Sequence, residues 1–119
     1  MNERLAQYTT KIVEALKPMN TERIILFGSG ARNQMHLDSD LDLLIVLDEE
    51  RIPETYEEKL SMRVKVKTAL RCINEQIAID VIAYTKAEYR EMIKAPGSFL
   101  KEVTQTGRML YEKTSQGVA

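Results

Sequence analysis

The stretch "ILFGSGARNQMHLDSDLDLLIV", from Ile25 to Val46, decides how the chain is read. Two apolar runs flank a loop of small and polar residues, and the second run opens with Asp38, Asp40 and Asp42. A carboxylate taken out of water beside a core strand costs several kcal/mol unless something neutralises it. A positive group is therefore expected against these acids, and the small-residue loop stands just ahead of them.

Outward from this stretch, apolar spacing outlines the other elements. Leu5, Tyr8, Ile12, Val13 and Leu16 recur at helical spacing, and Pro18 stops that helix, so residues 1–18 form an N-terminal helical segment. "RIILF" is a continuous apolar strand ending at Gly28, and "DLLIVLD" is a second strand of the same type. From Pro53 to about Ile73 the pattern predicts a helix carrying Leu60, Val64, Val66, Ala69, Leu70 and Ile73, although "MRVKVK" within it also alternates like a strand. "QIAIDVIAY" is a third strand. Thr85 caps a helix through "KAEYREMI" that Pro96-Gly97 ends, a short helix follows near Ser98–Thr104, and "RMLYE" is extended. Residues 113–119 read as a loose polar tail. The order α-β-loop-β-α-β-α predicts an α/β (α+β) fold, a small mixed sheet flanked by helices. The link of about a dozen residues between the first two strands is short for a helical crossover between parallel neighbours.

At 119 residues the chain is expected to form one domain, 1–119. Its formal net charge of −1 creates no global basic field, so neither nucleic acid nor an anionic membrane is expected as a partner. The apolar runs are far shorter than the roughly 20 residues that cross a bilayer. "MNERLAQYTTKIVEALKP" is neither a signal nor a transit peptide, and Cys72, the only cysteine, excludes an internal disulfide. A cytoplasmic protein is expected.

On a strand, residues i and i+2 face the same way, so Asp40 and Asp42 project together if the second strand begins by Asp40, with Cα atoms about 6.6 Å apart. A divalent cation relieves their repulsion, because hard oxygen ligands are what Mg²⁺ takes, usually with water and substrate phosphates. The plainer reading is a polar turn entering a strand. Asp80 repeats the anomaly inside "IAIDVIAY", where it interrupts a run expected to be buried. A salt bridge to an arginine such as Arg23 or Arg63 is the structural alternative there. Acids on two strands make a shared cation the economical account.

Gly28-Ser29-Gly30 follows a strand and precedes a predicted helical turn. Glycines let backbone N–H groups approach an anion, and a helix N-terminus adds a favourable field, so the loop suits phosphate. A plain strand-to-helix turn capped by Ser29 has the same composition. The P-loop pattern fails, because no G-K-[S/T] follows. The dinucleotide fingerprint comes closer, with Gly28 and Gly30 in place and Asp48 about 20 residues on, but Asn33 stands where the third small residue belongs. That reading also leaves Asp40, Asp42 and Asp80 unexplained.

Taken together, "GSGARNQMHLDSDLDLLIV" resembles the nucleotidyltransferase superfamily that includes DNA polymerase beta, and within it the minimal nucleotidyltransferases of bacteria and archaea. Their motif is Gly-Ser, ten residues, then Asp-x-Asp, met by Gly28-Ser29 and Asp40-x-Asp42, with Ala31-Arg32 and Ser39-Asp40 also in place. Asn33 departs from a frequent glycine, which touches loop shape rather than chemistry. The resemblance implies the polymerase-beta-like core. It also implies Asp40, Asp42 and Asp80 as catalytic residues and ligands of two Mg²⁺ ions, with Asp80 as base or its electrostatic helper. Gly28, Ser29 and Gly30 would hold the phosphates of a nucleoside triphosphate. Arg32 either touches phosphate or ties the loop down. The ions would stabilise the attacking and leaving oxygens while NMP is transferred and pyrophosphate leaves.

Such short chains are typically antitoxins paired with a HEPN-type toxin, and the resemblance implies AMP transfer from ATP to a tyrosine hydroxyl of that partner. Two other readings stay open: a non-catalytic binding module, and a nucleotidyltransferase acting on a small hydroxyl compound or an RNA end. A homo-oligomer supplying the acceptor is a further possibility. His36 reads as a solvent-facing loop histidine. Arg63, Lys65, Lys67 and Arg71 read as a solvated helix face, and Tyr111 and Cys72 as packing residues.

Overall fold

A computed structural model of the chain describes residues 3–28 and 40–113. Helix α1, Glu3–Leu16, buries Leu5, Thr9, Ile12 and Leu16 along one stripe. Pro18 then sits in a 3₁₀ turn, Lys17–Met19, where its missing N–H costs nothing. Asn20 turns the chain with a left-handed φ of 59°, and the buried Thr21 hydroxyl donates to the Leu16 carbonyl at 2.7 Å. Strand β1, Thr21–Phe27, follows.

Strand β2, Leu41–Leu47, runs antiparallel to β1, pairing Phe27 with Asp42 and Thr21 with Leu47. This resolves the short link between them: antiparallel neighbours need no crossover helix. Helix α2, Tyr56–Ala69, starts later than Pro53 because Thr55 is its cap, its hydroxyl accepting from the Glu58 N–H at 3.1 Å. The helix breaks at Leu70, and a short α3, Arg71–Asn74, leads to β3, Ile79–Thr85, which pairs parallel with β2. Thr85 and Glu88 form a full capping box at the start of α4, Lys86–Lys94. Helix α5, Ser98–Thr106, and strand β4, Arg108–Glu112, complete the order, β4 lying antiparallel to β1.

The sheet runs β3-β2-β1-β4, mixed and flanked by helices on both faces, as the element order predicts. On one face Leu41, Leu43, Ile45 and Val81 pack with Leu5, Ile12 and Leu16 of α1, Val66 of α2, Leu70 at the break and Ile73 of α3. On the other, Ile25, Leu44 and Val46 pack with Tyr89 of α4 and Leu100 and Val103 of α5. β2 is covered on both faces, which is why its sequence is continuously apolar after Asp42.

Two expectations need correction. The third strand is not a continuously buried run: at the sheet edge it alternates, with Ile79, Val81, Ala83 and Thr85 buried and Asp80 exposed between them. Cys72 is exposed rather than packed, because α3 is a single turn that buries only Ile73. Along α2 only Val66 is fully buried, and Leu60 and Val64 face outward. No helix among the described residues is long and apolar enough to cross a membrane.

Candidate active site

The site is built where β1 ends and β2 and β3 begin. Strand pairing sets Asp42 directly beside Asp80, and both alternate with residues of the α1–α3 face, so they point toward the α4–α5 face. Asp40 lies just before β2, which begins at Leu41, and is exposed. Asn74 fixes the entry to β3, its side-chain oxygen accepting from the Ile79 N–H at 2.7 Å, which sets the register that brings Asp80 next to Asp42.

Gly28 closes β1 with a φ of +72°, a left-handed conformation that favours glycine. A Cβ at this position would run into Oδ2 of Asp42. Gly28 thus allows the backbone at the start of the loop to lie against the carboxylate. Across from this corner stand Phe99, Glu102 and Thr106 of α5, enclosing with Phe27 and Asp42 a cleft of about 220 Å³. Phe99 meets Phe27 edge-on, ring centroids 5.4 Å apart, and so braces α5 against the end of β1.

Asp42 is half-buried. Burial first, then the negative charges of Asp80 and Asp40, push its carboxyl above the ordinary pKa. Among the described residues no lysine or arginine pairs with any of the three acids: Arg23 is bound by Glu22 and Glu112, and Arg63 makes no ion pair. The salt-bridge alternative for Asp80 through either arginine is therefore not what the fold adopts. No three His, Cys, Asp or Glu side chains among the described residues form a group that could hold an ion by themselves. The donor set is nonetheless hard carboxylate oxygen, like-charged and uncompensated, and it suits Mg²⁺, a cation that completes its shell with water and phosphate oxygens.

Ser29, Gly30, Arg32, His36 and Asp38 lie outside the described residues. Asp48, the candidate ribose-binding acid of the dinucleotide alternative, stands at the far end of β2, held by Lys86 at 2.5 Å and Lys113 at 2.6 Å. Sequence reasoning did not single out Phe99, Glu102, Thr106 or Asn74. An aromatic or acid on an amphipathic helix carries no periodic mark of facing a site, and an asparagine ahead of a strand looks like ordinary turn chemistry.

The family model described as polymerase beta, nucleotidyltransferase matches residues 10–116. No curated protein sequence matches the chain. Among solved structures, the chain is similar to a toxin-antitoxin with AMP-PNP at 20% identity and a TM-score of 0.55, covering 92% of this chain and 76% of that one. It is similar to a mutant of the toxin-antitoxin MntA-HpeT at 19% identity and a TM-score of 0.52, covering 92% and 75%. A putative nucleotidyltransferase from Sulfolobus solfataricus is similar at 16% identity and a TM-score of 0.54, covering 95% and 91%. At these identities the likeness is one of fold.

Proposed function

Because the chain belongs to the polymerase beta nucleotidyltransferase family, we propose that residues 1–119 act as one minimal nucleotidyltransferase domain that moves AMP from ATP to a hydroxyl of a partner protein. We take that partner to be a HEPN-type toxin, silenced by the transfer. The observation that carries the reading is the corner at Asp42: Asp80 beside it across the sheet, Gly28 against its carboxylate, and no described cation neutralising either acid. The likeness to structures described as toxin-antitoxins, one with AMP-PNP, supports the adenine nucleotide and the kind of partner.

Asp40, Asp42 and Asp80 would hold Mg²⁺, which when bound neutralises triphosphate charge and lowers the pKa of an acceptor hydroxyl. The chain's own residues do the rest. Gly28 leaves room for the loop backbone to come close to Asp42, so that Gly28, Ser29 and Gly30 can offer N–H groups to the β- and γ-phosphates, with Arg32 assigned to the same phosphates. Asp80, exposed at the strand edge, accepts the acceptor's proton as its oxygen bonds to the α-phosphorus. The bond from the α-phosphorus to the bridging oxygen breaks, and pyrophosphate leaves with that electron pair. Phe27 and Phe99 wall the cleft beside Asp42.

The test is incubation of the chain with each α-³²P-labelled NTP, Mg²⁺ and the product of the adjacent gene, followed by mass spectrometry of the labelled residue. Label on a hydroxyl side chain of that product, strongest with ATP and lost in Asp42→Ala, is the expected result. Undiminished labelling by Asp42→Ala would overturn the catalytic assignment. Growth rescue by Asp42→Ala without any transfer would make this a binding module instead.

A further inference from the structure

Strand β3 is paired by β2 on one side only; among the described residues no strand covers its other edge. Helix α2 lies along that edge and leaves two adjoining hollows of about 290 and 500 Å³, both lined by Val81. Their floor is apolar and exposed. Tyr56, Leu60 and Val64, one helical turn apart, are 77%, 42% and 52% exposed. Their rim is cationic. Lys59, Arg63, Lys67 and Arg71 line the two hollows, no aspartate or glutamate does, and Arg63, Lys67 and Arg71 make no ion pair among the described residues. The acids of α2, Glu57 and Glu58, face a different hollow beside Arg51.

We propose that the open β3 edge and the cationic, apolar side of α2 form a docking groove for an extended acidic segment of a partner protein. The segment adds a fifth strand, a mode in which backbone hydrogen bonds give affinity and alternate side chains give specificity. Charge complementarity selects this occupant. A second copy of the chain paired edge to edge would set these cations against their own counterparts, the device by which sheet edges resist self-association. An RNA would satisfy the charges but would leave the strand's backbone groups and the Leu60–Val64 stripe without apolar or peptide partners. β3 begins at Ile79–Asp80, so a strand laid along it delivers a side chain beside the proposed base. The last point rests on the transfer reading above; the docking itself does not.

The test uses the full chain without nucleotide or metal. The probe is a fluorescein-labelled ten-residue peptide of alternating Glu and Val with one Tyr, and its Lys-for-Glu counterpart is the control. The acidic peptide should bind saturably, at least tenfold tighter than the basic one, and should shift backbone amide resonances of Ile79–Thr85. The double variant R63E/K67E, both positions being exposed and outside the core, should keep its melting temperature and lose at least tenfold in affinity. Equal binding of both peptides, no binding, or binding indifferent to R63E/K67E would overturn the proposal. So would a decauridylate that displaces the peptide at lower concentration, or a dimer that Leu60→Asp dissolves. If the peptide docks but the product of the adjacent gene receives no label with ATP and Mg²⁺, the docking stands and the transfer reading fails.

Discussion

Asp42 is a residue whose environment opposes its charge. Its carboxyl is pushed above the ordinary value of 3.8 by burial and by Asp80 and Asp40, so the folded chain binds its proton more tightly than the unfolded chain does. The resulting penalty is absent below the unfolded pKa and grows as pH rises through the folded one. Asp42→Asn is therefore expected to raise thermal stability at pH 7 in EDTA, by roughly 1 kcal/mol or less. Mg²⁺ should raise the melting temperature of the native chain and leave that of the variant unchanged; calorimetry with and without Mg²⁺ checks both. Gly28→Ala combines a strained φ, about 1–2 kcal/mol, with displacement of the Asp42 side chain. It should lower stability in urea melts and reduce label transfer together, whereas a loss of stability with full transfer would show that the Asp42 position is immaterial.

Among the elements, α4 shows local chemistry and tertiary position agreeing. The Thr85 hydroxyl accepts from the Glu88 N–H at 3.1 Å, and the Glu88 carboxylate accepts from the Thr85 N–H at 3.0 Å. Lys59 reaches across from α2 to the same glutamate at 2.8 Å. Thr85→Ala should cost about 1 kcal/mol, read as a lower urea midpoint with unchanged slope. α2 is the contrasting case. "MRVKVK" suits a strand as well as a helix; the helix is set by the Thr55 cap, by Glu57 and Glu58 in its first turn, and by docking of Val66 under the sheet. Its exposed Leu60 and Val64 look like core positions in a linear reading, since periodicity reports a face without saying what covers it.

For the whole molecule, Asp48 ties together segments far apart in sequence. It sits just past β2, bonded by Lys113 beyond β4 and Lys86 at the start of α4, while its backbone carbonyl accepts from Asn20 at the entry to β1. The hydrogen bonds from Lys113 and then Lys86 hold its carboxyl below the ordinary value. A depressed carboxylate contributes stability that is present above the unfolded pKa of about 3.8 and is lost as pH falls through the folded one. Asp48→Asn should thus be less stable than the native chain by about 1 kcal/mol above pH 5, with the gap closing toward pH 3. A gap that persists undiminished at pH 3 would assign the loss to packing.

The amino-acid sequence by itself determined the element order, the apolar strands and the clustering of acids at the head of β2, because periodicity, caps and turn residues act over a few neighbours. Only the tertiary structure decided that β1 and β2 are antiparallel, that β3 lies at an open edge, and that Asp80 is exposed yet registered against Asp42. Strand pairing joins segments whose separation along the chain leaves no local trace, and burial depends on which neighbours that pairing supplies.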